Sequence, residues 1–174
     1  MPKVIENIKE KLLVEARKQV MEQGYSAMTI RSVAGACEVG VGTVYNYFSS
    51  KDMLVASFML EDWQNCMEKI QDCSEKQTEP QAILKCVYDE LKRFSKEYAS
   101  LFQDKDAGIR FANVFPQRHE QLRSQIAGAL KSVCKNQKKA DVEFLTEFIA
   151  ENMLTWTLAN RTFEEIGSVL LQLF

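Results

Sequence analysis

Proline and glycine are scarce in this chain. Only 3 Pro and 7 Gly occur in 174 residues, and 4 of the glycines lie before residue 43. Beyond that point few breakers remain, which favours long helices over many turns. Long apolar runs are missing too: no window approaches the ~18 residues of a membrane span. The opening Met1-Pro-Lys-Val-Ile-Glu-Asn7 is charged and helical in pattern, without the apolar run of a signal peptide. A cytoplasmic protein with no membrane contact is expected. One histidine is present, His119, between Arg118 and Glu120, where a surface role is expected. There is no Gly-rich phosphate loop, no nucleophile elbow and no cluster of metal ligands, so neither catalysis nor a metal or cofactor is expected.

The 5 cysteines, Cys37, Cys66, Cys73, Cys86 and Cys134, are odd in number and show no paired metal spacing. Cys66 and Cys73 would share a helix face about 10 Å apart, beyond the roughly 7 Å that a disulfide tolerates between Cα atoms. Small buried side chains in a reducing compartment are expected, with thiol sensing as the alternative. Charge is nearly balanced at −2 overall. Residues 1–51 hold 7 Lys+Arg against 5 Asp+Glu, and residues 52–174 hold the remaining 15 against 19. A weakly basic head on an acidic body permits contact with phosphates at one end without arguing for it.

The pattern is helical throughout. Ile5, Ile8, Leu12, Ala16 and Val20 recur at helical spacing and predict a first helix from about Val4 to Gln23, closed by Gly24 in the left-handed region. Thr29 is placed to cap a second helix over 30–37, and a third covers 41–47. Ser50 caps a fourth, extending to about Cys73, before a polar loop over 74–79 and a helix opened by Pro80. That helix carries the stripe Leu84, Val87, Leu91, Phe94, Tyr98 and Leu101, followed by a break around Asp104–Gly108. Pro116 opens or bends a helix reaching about Val133, and residues 135–139 form a connector. Asp141 caps a helix burying Leu145, Phe148, Ile149, Asn152 and Trp156, and Thr162-Phe-Glu-Glu165 is a capping box for the last helix. The expected fold is all-α with about nine helices.

The stretch from Thr29 to Lys51 reads as helix, tight turn, helix and the start of a further helix, the size of a helix-turn-helix unit. Thr29, Val33-Ala34, Val39, Gly42-Thr43, Tyr45, Tyr47-Phe48, Lys51 and Leu54 resemble, in register, the N-terminal signature of TetR/AcrR-type transcriptional regulators. The close match covers about residues 8–54. Three positions depart from the pattern: Glu38 replaces the usual turn Gly, Gly40 the usual Ser cap, and Val41 a commonly polar residue.

The resemblance implies a helix-turn-helix DNA-binding domain over 1–50 and a helical ligand-binding and dimerisation domain over 51–174. It implies that Thr29, Thr43, Tyr45, Tyr47 and Lys51 hold phosphates, with Arg31, Val41, Gly42 and Asn46 as candidates for base edges. It implies a homodimer on a palindromic double-stranded operator, with Phe148, Trp156, Leu170 and Phe174 as candidates for the seam. It also implies a small-molecule effector held by Trp63, Met67, Phe94, Tyr98, Phe111 and Phe115, whose binding releases a repressor from DNA. Control by a protein partner, even as an activator, or by cysteine oxidation is the alternative.

Overall fold

The structure, a computed structural model, describes residues 7–111, 115–134 and 139–173. Ten α-helices, one short 3-10 turn and no strand are present among the described residues. Two compact units emerge, one from residues 1–62 with 97–112 and the other from 63–96 with 113–174.

In the first unit, α1 (Ile8–Gln23) buries Ile8, Leu12, Leu13, Ala16 and Val20 along one stripe. It ends as its sequence requires: Gly24 takes φ 88° and returns its N–H to Val20 O, a conformation open to glycine without a Cβ penalty. Helices α2 (Ile30–Ala36) and α3 (Val41–Tyr47) are both too short to persist alone, and stand by packing. Ile30, Val33 and Ala34 of α2 and Val44 of α3 are buried. Helix α4 (Lys51–Lys76) starts under Ser50, whose Oγ accepts from Met53 N at 3.1 Å. Within this unit Asp62 of α4 accepts from Arg17 Nη2 at 2.6 Å and from the hydroxyl of Tyr98.

Helix α4 runs three residues beyond the expected end at Cys73, and α5 (Pro80–Glu97) begins at proline as predicted. The expected break over Asp104–Gly108 is confined to Asp104. Its carboxylate accepts from Asp106 N at 2.9 Å and Ala107 N at 3.0 Å, so the residue read as a breaker caps a helix. The segment therefore yields two helices, α6 (Ala99–Gln103) and α7 (Lys105–Phe111).

The second unit closes around Trp63, Cys66 and Ile70 of α4, Ile83, Leu84, Val87 and Leu91 of α5, and residues of α8 (Phe115–Leu130), α9 (Lys139–Leu158) and α10 (Phe163–Leu170). Helices α8 and α9 pack against one another, and Ala127 and Ala129 of α8 and Ala150 of α9 are buried. The inward face of α9 differs from expectation. Thr146, Ile149, Ala150, Met153, Leu154 and Thr157 are buried, whereas Phe148 is 44% exposed. Apolar residues surround this helix, so spacing alone did not select its buried side. The Thr162–Glu165 capping box forms as predicted, with Glu165 N to Thr162 Oγ1 at 3.3 Å and Thr162 N to Glu165 Oε2 at 2.9 Å.

Candidate nucleic-acid interface

Thr29 is the origin of the site. It is extended, with φ −132° and ψ 155°, and its Oγ1 accepts from Ser32 N at 3.0 Å. Ser32 Oγ in turn accepts from Thr29 N at 3.1 Å, so the two hydroxyls satisfy two backbone donors reciprocally. Ser32 Oγ also donates to Gln19 Oε1 at 2.6 Å, which binds the start of α2 to α1. The sequence indicated the cap; the reciprocal bond was missed because Ser stands where Glu or Gln usually completes the box.

The turn is a Schellman motif. Val39 N–H reaches Ala34 O at 2.9 Å and Glu38 N–H reaches Gly35 O at 3.1 Å. Glu38 occupies the left-handed position with φ 56°, where glycine is usual. Gly40 precedes α3 with no side-chain cap.

Anchored by buried Val44 and Phe48, α3 turns the rest of its surface outward. Tyr45 is 52% and Tyr47 48% exposed, with Gly42 and Asn46 also exposed and Val41 and Thr43 half-buried. Arg31 of α2 is exposed as well, and Thr29 is exposed despite its capping role. A hydroxyl that accepts one hydrogen bond retains a donor for another. The side chains read as DNA contacts thus include phosphate-type donors and one amide, Asn46, able to pair with a base edge.

Lys51 is held from behind. Its ammonium lies 4.1 Å from the centroid of the Tyr25 ring, and burial draws its pKa below the usual lysine value. Tyr25 is buried and donates from its hydroxyl to the Asp52 carboxylate. Burial first, and Asp52 second, raise the phenol pKa, so Tyr25 remains a donor. The neighbouring Ser26 Oγ donates to Asp106 Oδ2 at 2.8 Å and to Asp104 Oδ2 at 3.2 Å. An open cleft of about 620 Å³ lies here, lined by Tyr25, Ser26, Ser50, Lys51, Asp52, Asp106, Ile109 and Arg110. None of the effector candidates lines it.

Those candidates divide between the units. In the second, Trp63 meets Phe94 edge-on at 5.4 Å and donates from Nε1 to Gln125 Oε1 at 2.6 Å, with Met67 packed against the same core. In the first, Tyr98 stacks 6.3 Å from Phe58, and Phe111 lies edge-on to Tyr25 at 6.0 Å. The Phe115 side chain and Phe174 lie outside the described residues. Of the seam candidates, Leu170 is fully buried in its own unit, Trp156 is half-buried and Phe148 is exposed. Phe144, which sequence reasoning passed over, is 74% exposed and stacks on Phe148 with ring centroids 6.3 Å apart.

These features define an all-α protein with a helix-turn-helix whose second helix is presented to solvent. Residues 12–58 match the family described as "Bacterial regulatory proteins, tetR family". Over that stretch, which holds the helix-turn-helix, the chain is similar to the TetR-type transcriptional regulators. Among curated relatives it is 26% identical to the uncharacterized HTH-type transcriptional regulator YuxN of Bacillus subtilis over 99 residues, 56% of this chain and 32% of that protein. The chain thus spans about a third of the length of the curated relatives it matches. The fold is shared with the TetR family repressor AlkX of Dietzia, with a TM-score of 0.65 and 15% identity over 93% of this chain and 97% of that one. A TerR/AcrR family transcriptional regulator of Aquifex aeolicus gives 0.59 and 18% over 93% and 94%. No helix among the described residues is long and apolar enough to cross a membrane.

Proposed function

We propose that this protein is a repressor that binds a near-palindromic operator as a homodimer and leaves it when a small molecule binds. The observation that carries the DNA reading is the surface of α3. Gly42, Tyr45, Asn46 and Tyr47 face solvent while Val44 and Phe48 hold the helix in place. Such a helix enters the major groove, with Arg31, Val41, Gly42 and Asn46 toward base edges. Thr29, Thr43, Tyr45, Tyr47 and Lys51 then fix the register on phosphates. One helix-turn-helix offers few base contacts, and a symmetric dimer doubles them. The stacked, exposed Phe144 and Phe148 support α9 as the seam. AlkX, which shares the fold, is described as a repressor implicated in biodegradation of n-alkanes. That supports the sign of regulation.

The effector acts only if it prefers one arrangement of the DNA-reading heads over another. In this reading the candidates for holding it are Trp63, Met67 and Phe94 of the second unit, and the division of labour is DNA over 1–50 and effector and dimer over 51–174. Selection of bound sequences from a random duplex pool at physiological salt tests the proposal. A recovered palindrome supports it. No enrichment from a folded dimer overturns DNA recognition by the protein alone and turns attention to a protein partner.

A further inference from the structure

Two cysteines that are distant in sequence meet in the second unit. Helices α4 and α5 are joined by only three residues, 77–79, and run back along one another around Cys66, Ile70, Ile83, Leu84 and Val87. Their register is visible in an ion pair: Lys69 Nζ of α4 lies 3.9 Å from Glu90 Oε2 of α5. One turn onward, Cys73 stands four residues after Lys69, and Cys86 four residues before Glu90. Residues four apart share a helix face, so an antiparallel pair that aligns Lys69 with Glu90 also aligns Cys73 with Cys86. The side chains follow that register, and the neighbouring Cys73 thiol is among the groups that raise the pKa of Cys86, after burial. Both are half-buried rather than sealed in the core, unlike Cys66 and Cys134.

We propose that Cys73 and Cys86 form a thiol pair that a hydroperoxide oxidises to a reversible disulfide between α4 and α5. The Cys73 thiolate attacks the peroxide oxygen, giving a sulfenic acid on Cys73 and releasing the alcohol, or water from hydrogen peroxide. The Cys86 sulfur then attacks the Cys73 sulfur, losing its proton as water departs. Two thiols are oxidised by two electrons and one peroxide is reduced. Cys86 is assigned the second role because burial first, and then the neighbouring Cys73, push its pKa up and favour the thiol form. The other three cysteines lack this arrangement. Cys66 and Cys134 are buried, and Cys37 lies in the first unit against Lys11 O at 3.6 Å. A bridge here ties the end of α4, the helix that begins at the DNA-reading head, to α5.

The test is peptide mapping of the full-length protein after hydrogen peroxide, with free thiols alkylated before digestion without reductant. Trypsin leaves Cys73 in the fragment 70–76 and Cys86 in 86–92. The expected result is these two fragments joined, with the joint lost on adding dithiothreitol. In Cys86→Ser the expected product is a sulfenic acid on Cys73, trapped by dimedone. Cys73 and Cys86 alkylated equally with and without peroxide would overturn the proposal, as would a joint formed through any other cysteine or between two chains. The wild-type map decides this even where a serine variant folds poorly.

Discussion

The hydroxyl of Tyr25 donates to the carboxylate of Asp52, while the ring of the same tyrosine lies beneath the ammonium of Lys51. One side chain from the turn after α1 thereby fixes two consecutive residues at the start of α4. The two interactions separate by substitution. Tyr25→Phe keeps the ring and removes the donor, with an expected loss of about 1 kcal/mol. Tyr25→Ala also empties a buried site, at about 3–5 kcal/mol. Urea unfolding of both variants measures this; a Phe variant as stable as wild type removes the hydrogen bond from the account.

Glu38 sits at φ 56°, in a turn position where a Cβ is unfavourable. The left-handed conformation costs a non-glycine residue roughly 1–2 kcal/mol, and glycine returns part of that through its looser unfolded state, about 0.5–1 kcal/mol. Glu38→Gly should therefore raise stability by about 0.5–1 kcal/mol. Glu38→Ala is the control, since it removes the charge and keeps the Cβ. Equal gains from both variants would assign the effect to charge rather than to backbone strain.

Much of this site was legible in sequence because its signals are local. Thr29, Ser50 and Thr162 cap helices where their spacing from the next apolar run places them, and α3 spans the expected Val41–Tyr47. Asp104 was misread because an acidic residue between polar neighbours looks alike as a loop or as a helix cap. The inward face of α9 was misread because it carries apolar residues on two sides. The Cys73–Cys86 contact depends on how two helices align, which same-helix spacing cannot give. The pairing of Tyr25 with Lys51 and Asp52 was likewise set by tertiary packing.

The proposed DNA contacts divide by the kind of loss they should show. The proposed reading puts Lys51 on a phosphate, so Lys51→Ala should lower affinity alike for all sequences, and the slope of log affinity against log salt should shrink by about 1. Asn46→Ala should instead change which operator positions are selected, with a cost of about 1–3 kcal/mol at the affected base pair. Titrations over a salt series, paired with repeated sequence selection, distinguish the two. An unchanged selected motif in Asn46→Ala would end its assignment as a base reader.

Asp104 connects acidity to the first unit. Its carboxylate pKa is held below the ordinary value by the backbone N–H of Ala107 first, and also by Ser26 and Asp106. A depressed carboxylate contributes stability above its unfolded pKa of about 3.9 and loses it as pH falls through the lower folded value. The contribution should thus be intact at neutral pH and disappear in the acid range below about 4. Asp104→Asn keeps a capping oxygen without a titrating proton. Its thermal midpoint should fall less steeply than that of wild type over this window. Parallel midpoint curves would mean that other carboxylates carry the acid sensitivity.

Phe144 and Phe148 present two stacked rings on an outward face of α9, 74% and 44% exposed. Water contact over two adjacent aromatic side chains is costly, and covering them with a second copy recovers about 25 cal/mol per Å² of apolar surface. In the proposed dimer, Phe144→Glu with Phe148→Glu would place like charges across the symmetric seam, since each substitution appears in both subunits. Because neither ring belongs to the buried core, the double variant should keep its far-ultraviolet circular dichroism and its thermal midpoint as a monomer. Sedimentation velocity over a concentration series checks this. The expected result is a dimer for wild type and a monomer for the variant, with operator affinity falling alongside. A variant that remains dimeric would place the seam elsewhere and leave the two rings to another partner.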